Sequence, residues 1–222
     1  MSDHSSTKEV AAKCNILEIQ MKYNKYARYK MPMSEKTILD SDLDNNEALS
    51  DNPSFGCPFG IKKFLVVVPV TYRGSDERLH CGQIVVHQDL VRDIRLFFEA
   101  AKAKAFPIHS VIPISHPRFS WDDYRSMEVN NTSGFNYRPK TGKPDEFSSH
   151  ALGRAIDINP LQNPHIKNGA ILPHGATYDS KVSGTITRDS FIVEFFESHG
   201  WTWGGRWESL KDYQHFEKPE IE

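Results

Sequence analysis

The sequence lacks any apolar run long enough to cross a bilayer. Its longest, FLVVVPV at residues 64–70, falls far short of the about 18 to 20 residues that a transmembrane helix needs. A membrane span is therefore excluded. The N-terminus, MSDHSSTKEVAAK, has no basic segment followed by an apolar one, so no secretory signal peptide is visible either.

The sequence also has little net charge and few cysteines. The 222 residues carry 27 Lys and Arg against 29 Asp and Glu, a formal charge of −2. This balance gives no electrostatic footprint for nucleic acid. The three cysteines, Cys14, Cys57 and Cys81, form no CxxC pair. Cys57 and Cys81 either form a disulfide in an oxidising compartment or remain buried thiols.

The chain also lacks internal repeats, low-complexity tracts and glycine-rich phosphate loops, and nothing in it fixes an oligomeric state. Residues 1–55 are polar, with an acidic second half, and we interpret them as an arm that is partly ordered at best. Residues 56–222 then form one domain, because an apolar content of 38% suffices for one sizeable core.

Strands and helices are mixed in this domain without a regular βαβ repeat. KFLVVVPVTY at 63–72, CGQIVVH at 81–87 and HSVIPI at 109–114 are typical of strands. The spacing of apolar residues predicts one amphipathic helix within 87–106 and a second within 187–200, capped by Thr187 or Asp189 and ended by Gly200. We therefore expect an α+β fold, a small mixed sheet flanked by helices.

The stretch SSHALGRAIDINP, residues 148–160, places His150 seven positions before Asp157. Alternation in AIDI directs Ile156 and Ile158 to a core and leaves Asp157 on the opposite face. Gly153 permits the tight turn that brings His150 back beside that face. The stretch thus offers two metal ligands, although Asp157 could equally cap a turn.

A third ligand is offered by WGGRWESLKDYQHFE, residues 203–217, where His215 is embedded in aromatic residues. A catalytic zinc site needs about three protein ligands and keeps one position for water. Asp212, three positions before His215, could take that water's proton. Each histidine is equally compatible with a structural role, and Asp212 could pair with Lys211 or Arg206 on a solvated face.

Both stretches resemble motifs of the zinc peptidases of family M15, which include D-alanyl-D-alanine carboxypeptidases, VanX- and VanY-type enzymes and L-alanyl-D-glutamate endopeptidases. SSHALGRAID is similar to SxHxxGxAxD, and DYQHFE to DxxHF. The resemblance covers about residues 63–217. It implies Zn²⁺ ligands at His150, Asp157 and His215, a catalytic acid/base at Asp212, and a fold like that of the hedgehog signalling domain.

The resemblance also implies an arginine upstream of the first ligand that holds substrate. Arg138 in FNYRP is the first candidate, and Arg125 in DDYRS the second, because DDYRS lacks the glycine of the GYRS motif in relatives. Further candidates for substrate contact are Ser148, Asn136, Trp203 and Gly204. WTWGGRW is equally compatible with plain aromatic core packing.

By resemblance, the expected substrates are stem peptides of peptidoglycan, and the expected location is the cell envelope or outside the cell. The preferred expectation is a D-alanyl-D-alanine carboxypeptidase. An L-alanyl-D-glutamate endopeptidase and a non-catalytic zinc-containing binding module are the alternatives.

Overall fold

The computed structural model describes residues 37–140 and 143–219, which belong to one compact unit. The helices are α1 (Asn45–Ala48), α2 (Phe59–Lys62), α3 (Val91–Ala103), α4 (Asp123–Glu128) and α5 (Phe191–Ser198). The strands are β1 (Ile38–Leu39), β2 (Leu65–Arg73), β3 (Leu79–His87), β4 (Ser110–Val111), β5 (Asn131–Thr132), β6 (Pro139–Lys140), β7 (Lys143–Phe147), β8 (Ala155–Asp157), β9 (His165–Lys167), β10 (Ala170–Leu172), β11 (Thr202–Trp203), β12 (Lys211–Asp212) and β13 (His215–Glu217). Within these ranges, none of the helices has the length and apolarity that a bilayer crossing requires.

The long hairpin of β2 and β3 is the framework of the fold. Both strands have nine residues, and their antiparallel register runs unbroken from Leu65↔His87 to Arg73↔Leu79. The predicted helix after the hairpin is confirmed as α3, preceded by a short 3₁₀ turn. Its apolar face packs against β2 because Ile94, Phe97 and Phe98 recur at helical spacing and are almost completely buried.

Residues 37–55, the described part of the predicted arm, are joined to this hairpin. Strand β1 pairs with β3 in parallel, and the Asp40 N–H donates to the Cys81 carbonyl at 2.8 Å. The Ser41 hydroxyl donates to Gln83 Oε1 at 2.7 Å. The other residues of that arm, 1–36, lie outside the described residues, as does Cys14.

A second layer carries the two sequence motifs. Strand β13 lies between β8 and β11, and α5 packs behind this sheet through Phe196, which contacts Phe216 with ring centroids 4.5 Å apart. The predicted helix at 187–200 is confirmed, and Gly200 has a φ of +80° beyond its end. The predicted cap is wrong, because Ser190 is the N-cap residue and its side chain makes no capping bond.

The mixed α and β composition is confirmed, but the strands form several small sheets. Among the described residues, three sheets have three strands, in the orders β1-β3-β2, β10-β9-β12 and β11-β13-β8, and two have two strands. Most strands outside the β2–β3 hairpin have only two or three residues, and the predicted single sheet is divided into separate sheets. Cys57 and Cys81 are free thiols, so the disulfide alternative is wrong.

Candidate active site and metal centre

A single turn of 3₁₀ helix, Ser149–Leu152, positions His150. Its start is capped by the Ser148 hydroxyl, which accepts from the His150 N–H at 3.3 Å. Its end is Gly153, with a φ of +67°, a conformation that favours glycine. A Cβ at this position would also lie 2.8 Å from the backbone nitrogen of His87. The close approach predicted for Gly153 is therefore present, and it holds the turn against β3.

Strand pairing positions the other two predicted ligands. In the antiparallel register of β8 and β13, Asp157 lies directly opposite His215. The neighbouring pair, Ile156 and Phe216, points into the core with no exposed surface. Because side chains alternate along a strand, burial of this pair forces Asp157 and His215 to the opposite face, which for Asp157 is the face that the alternation in AIDI predicted.

The three predicted ligands converge. His150 Nε2 lies 3.2 Å from His215 Nδ1 and 3.2 Å from Asp157 Oδ2, and His215 Nδ1 lies 3.1 Å from Asp157 Oδ1. All three residues are buried, and they form the group within the described residues whose ligand atoms could hold a metal ion. We call them the His-Asp-His cluster.

The outward-facing nitrogens of both histidines have their own partners. His150 Nδ1 lies 2.7 Å from the Gly134 carbonyl, to which it can only donate. His215 Nε2 lies 3.3 Å from Glu217, whose pKa the hydrogen bond from His215 lowers to about 2, so Glu217 is a carboxylate acceptor. These partners leave His150 Nε2 and His215 Nδ1 as the nitrogens that face the cluster, the arrangement that orients histidine ligands of a metal.

Electrostatics in the cluster favour a cation. Burial by itself raises the pKa of the Asp157 carboxyl, but the charges and hydrogen bonds of His150 and His215 outweigh it, so the pKa lies well below its usual range. Burial lowers the pKa of His215, yet the hydrogen bonds to Asp157 and Glu217 raise it to about 10. A buried carboxylate and two converging nitrogens require either protons or a metal, and two histidines with one carboxylate are a donor set that zinc takes.

Asp212 lines the same pocket, which has a volume of about 440 Å³. Its Oδ2 lies 3.0 Å from His165 Nδ1, whereas its Oδ1 is buried and has no hydrogen-bond partner among the described residues. Gly204 packs behind it, because a Cβ there would lie 2.6 Å from the Asp212 carbonyl oxygen. One carboxylate oxygen is thus held in place by His165, while the other has no protein partner among the described residues.

Of the two arginine candidates, the structure brings Arg138 to the pocket and leaves Arg125 outside its lining. Arg138 is held by Asp123, with Nη2 to Oδ2 at 2.7 Å, and its buried Nε has no partner among the described residues. Arg125 is exposed and lies 3.9 Å from Asp122. The order in which the sequence ranked them agrees with this placement.

The candidates for substrate contact differ in whether they line the pocket. Ser148 lines the pocket, whereas Asn136, Trp203 and Gly204 do not. Asn136 is buried behind the pocket and donates to Asp123 at 3.0 Å. Trp203 packs in the main core, which agrees with the aromatic-packing alternative, and donates its indole N–H to the Tyr213 carbonyl.

Several pocket residues were not singled out from the sequence. His165 and Asp123 hold Asp212 and Arg138, and Glu217 also accepts a short hydrogen bond from the Ser149 hydroxyl. Of these three, only Glu217 left a signal in the sequence, because it lies two residues beyond His215 on a strand and so shares its face. The Trp207 ring, one of the aromatic residues predicted around His215, lies 5.3 Å from the His215 ring.

Comparison with known proteins adds one finding. Residues 141–218 match the model of a family described as D-alanyl-D-alanine carboxypeptidase. Searches of the curated proteins and of the solved structures found no match. The matched segment includes the whole His-Asp-His cluster, Asp212 and Glu217, so the resemblance drawn from the two motifs is confirmed.

Proposed function

We propose that this protein, whose residues 141–218 belong to the M15 family of peptidases, is a zinc-dependent D-alanyl-D-alanine carboxypeptidase acting on peptidoglycan stem peptides. The observation that carries the proposal is the convergence of three buried ligand atoms beside a carboxylate with one free oxygen in a single pocket. A metal site that served structure alone would have no need of this additional carboxylate.

The mechanism follows from the groups that line the pocket. His150, Asp157 and His215 would hold a zinc ion, which when bound would supply Lewis acidity to the attacking water and the scissile carbonyl. The Asp212 carboxylate accepts the proton of the attacking water and then passes it to the leaving amine. His165 keeps the carboxylate oriented during both transfers.

Arg138 stabilises the negative charge that develops on the scissile carbonyl oxygen. Its contact with Asp123 fixes the guanidinium plane at the pocket wall. Asn136 donates a hydrogen bond to the other oxygen of Asp123 and so holds that carboxylate in position beside Arg138. The oxyanion and proton-transfer groups therefore enter the pocket from different elements, Arg138 ahead of β6 and Asp212 on β12.

Two alternatives remain as outcomes of the test. An L-alanyl-D-glutamate endopeptidase would use the same groups on an internal bond. A zinc-containing binding module would keep the His-Asp-His cluster and need no proton acceptor, and the free oxygen of Asp212 speaks against it. We further propose the hedgehog- and peptidase-like fold, a catalytic domain from residue 56 preceded by an arm, and action in the cell envelope or outside the cell.

The test compares wild type with Asp212→Ala and Asp212→Asn, each with its zinc content measured. The proteins are incubated with defined muropeptides, and the products are identified by mass spectrometry. We expect wild type to release the terminal D-Ala and both variants to lose about 10² to 10⁴ in rate while retaining zinc. Asp145→Ala, an exposed carboxylate of β7 outside the pocket lining, is the matched control and keeps full activity.

Release of the peptide after L-Ala would establish the endopeptidase alternative. A zinc-loaded wild type that cleaves neither peptide would instead support the binding module.

A further inference from the structure

The lysine and arginine side chains that line the pocket differ in whether a carboxylate pairs with them. Arg138 pairs with Asp123, and Lys140 and Lys143 both pair with Glu146, at 3.1 and 2.8 Å. Lys167 lines the same pocket, but its ammonium forms no ion pair or hydrogen bond with any residue in the described ranges. Its charge is thus available to an anionic ligand.

The backbone that carries Lys167 is well defined. Lys167 ends β9 and pairs with Ala170 of β10, so Asn168 and Gly169 form a two-residue turn. Both turn residues have positive φ, +50° and +81°, the combination for which an Asn-Gly pair is favoured in a tight hairpin. The start of the Lys167 side chain is therefore fixed at the pocket wall although its end is exposed.

The strand register places Lys167 on the Asp212 side of the pocket. His165 and Lys167 lie two positions apart on β9, so their side chains share one face about 7 Å apart. His165 is directly opposite Asp212 in the pairing of β9 with β12 and contacts its carboxylate at 3.0 Å. Lys167 thus extends the same wall beyond the group that handles the proton.

We propose that Lys167 binds a free α-carboxylate on the residue released from the amine side of the scissile bond. This inference rests on the proposed function, because Asp212 must reach the leaving amine to protonate it, and the leaving residue therefore lies on the Asp212 wall. A terminal D-Ala carries such a carboxylate by definition. A D-Glu that continues the chain through its side-chain carboxyl carries one as well, so the subsite serves either peptide bond.

The test uses pairs of peptides that differ only in this group: a peptide ending in D-Ala-D-Ala and its C-terminal amide, and an L-Ala-D-Glu muropeptide with a free or amidated α-carboxyl. We expect wild type to prefer the free acid of the pair it cleaves. Lys167→Met should raise KM for the acid about five- to tenfold and leave KM for the amide unchanged, since the charge-assisted contact exists only with the acid.

Further variants separate charge from shape. Lys167→Arg should restore the preference for the acid, whereas Lys167→Glu should reverse it, and added salt should weaken the preference of wild type. Lys181→Met, an exposed lysine outside the pocket lining, is the matched control and should behave as wild type. Equal effects of Lys167→Met on acid and amide, or no effect on either, would overturn the assignment.

Binding keeps this test separate from the proposed function. Zinc-loaded Asp212→Ala, with and without Lys167→Met, is titrated calorimetrically with both members of each pair. Tighter binding of a free acid that Lys167→Met abolishes supports the carboxylate subsite even if wild type cleaves no peptide. Equal binding of acid and amide by Asp212→Ala contradicts it, whatever the activity of wild type.

Discussion

Two groups of histidine and carboxylate side chains among the described residues can be compared. One is the His-Asp-His cluster, and the other, the edge cluster, consists of Asp40, Tyr72, Asp76 and His80 beside the β2–β3 hairpin. In the edge cluster, His80 Nδ1 lies 2.9 Å from Asp40 and Nε2 lies 3.0 Å from Asp76. The Tyr72 hydroxyl donates to Asp40 through a short hydrogen bond and accepts from the Val111 N–H at 3.0 Å.

The two clusters differ in where the polar atoms point. Each ring nitrogen of His80 faces a separate carboxylate, so protons on one ring satisfy the arrangement. In the His-Asp-His cluster, Gly134 and Glu217 occupy the outward nitrogens, and the remaining two face each other at 3.2 Å. The partners of the outward nitrogens, more than the residue types, therefore distinguish the candidate metal site from a structural network.

The largest expected difference between the clusters is in metal content. His150→Ala removes one of the three proposed ligands, so we expect the protein to lose stoichiometric zinc and, with it, activity. His80→Ala should retain both. Metal analysis of the purified proteins by mass spectrometry, with circular dichroism to show that each is folded, measures this difference. A His80 variant that lost zinc would contradict the division into two roles.

A smaller effect is expected where only the position of Asp212 changes. In Gly204→Ala the new Cβ would lie 2.9 Å from the Asp212 Cβ as well as close to its carbonyl, so the strand must shift. We expect kcat to fall about a hundredfold, because a displacement of about 1 Å in a reacting group costs that much, while zinc is retained. Gly56→Ala, whose Cβ would meet nothing within 4 Å, is the control.

An effect of Gly204→Ala confined to KM would indicate that Gly204 acts on substrate binding instead. The steady-state parameters of the two glycine variants thus decide between these roles.

The parts of the site that depend on a few adjacent residues could be predicted from local patterns in the sequence. Alternation in AIDI placed Ile156 and Asp157 on opposite faces, and Gly153 marked the turn that returns His150. The aromatic surroundings of His215 were also predicted, and the Trp207 ring is one of them. Each of these conclusions requires only the periodicity of one element.

The parts of the site that the sequence did not predict depend on pairing between distant segments. His165 contacts Asp212, 47 positions further along the chain, because β9 and β12 pair in one particular register. Asp123 reaches Arg138 from a different element, across 15 positions that no local pattern connects. The division into several sheets was equally inaccessible, since strands of two or three residues leave almost no periodic signal.

The edge cluster should contribute to stability without contributing to catalysis. His80→Gln leaves the half-buried Asp40 carboxylate with a weaker partner, so we expect the free energy of unfolding to fall by about 1 to 3 kcal/mol. Denaturant unfolding of zinc-loaded wild type and variant measures this change, and kcat should remain that of wild type. Unaltered stability would mean that water replaces the imidazole at no cost.

The smallest expected effect is the pH dependence of the stability that the edge cluster contributes. Partial desolvation raises the pKa of Asp76, but hydrogen bonds from the Arg78 backbone, His80 and the Arg78 side chain outweigh it and hold the pKa well below its usual range. A carboxyl with a depressed folded-state pKa stabilises the protein above its unfolded pKa of about 4 and loses that contribution as the pH falls through the folded value. Because Asp76 is partly exposed, solvent screening keeps the contribution small. Denaturant unfolding of wild type and Asp76→Asn at a series of pH values should therefore give two curves that are separated near neutral pH and converge below about pH 4. Curves that stayed parallel to the lowest pH measured would show that Asp76 acts through its shape alone. The two clusters would then differ less in their electrostatics than their geometry indicates.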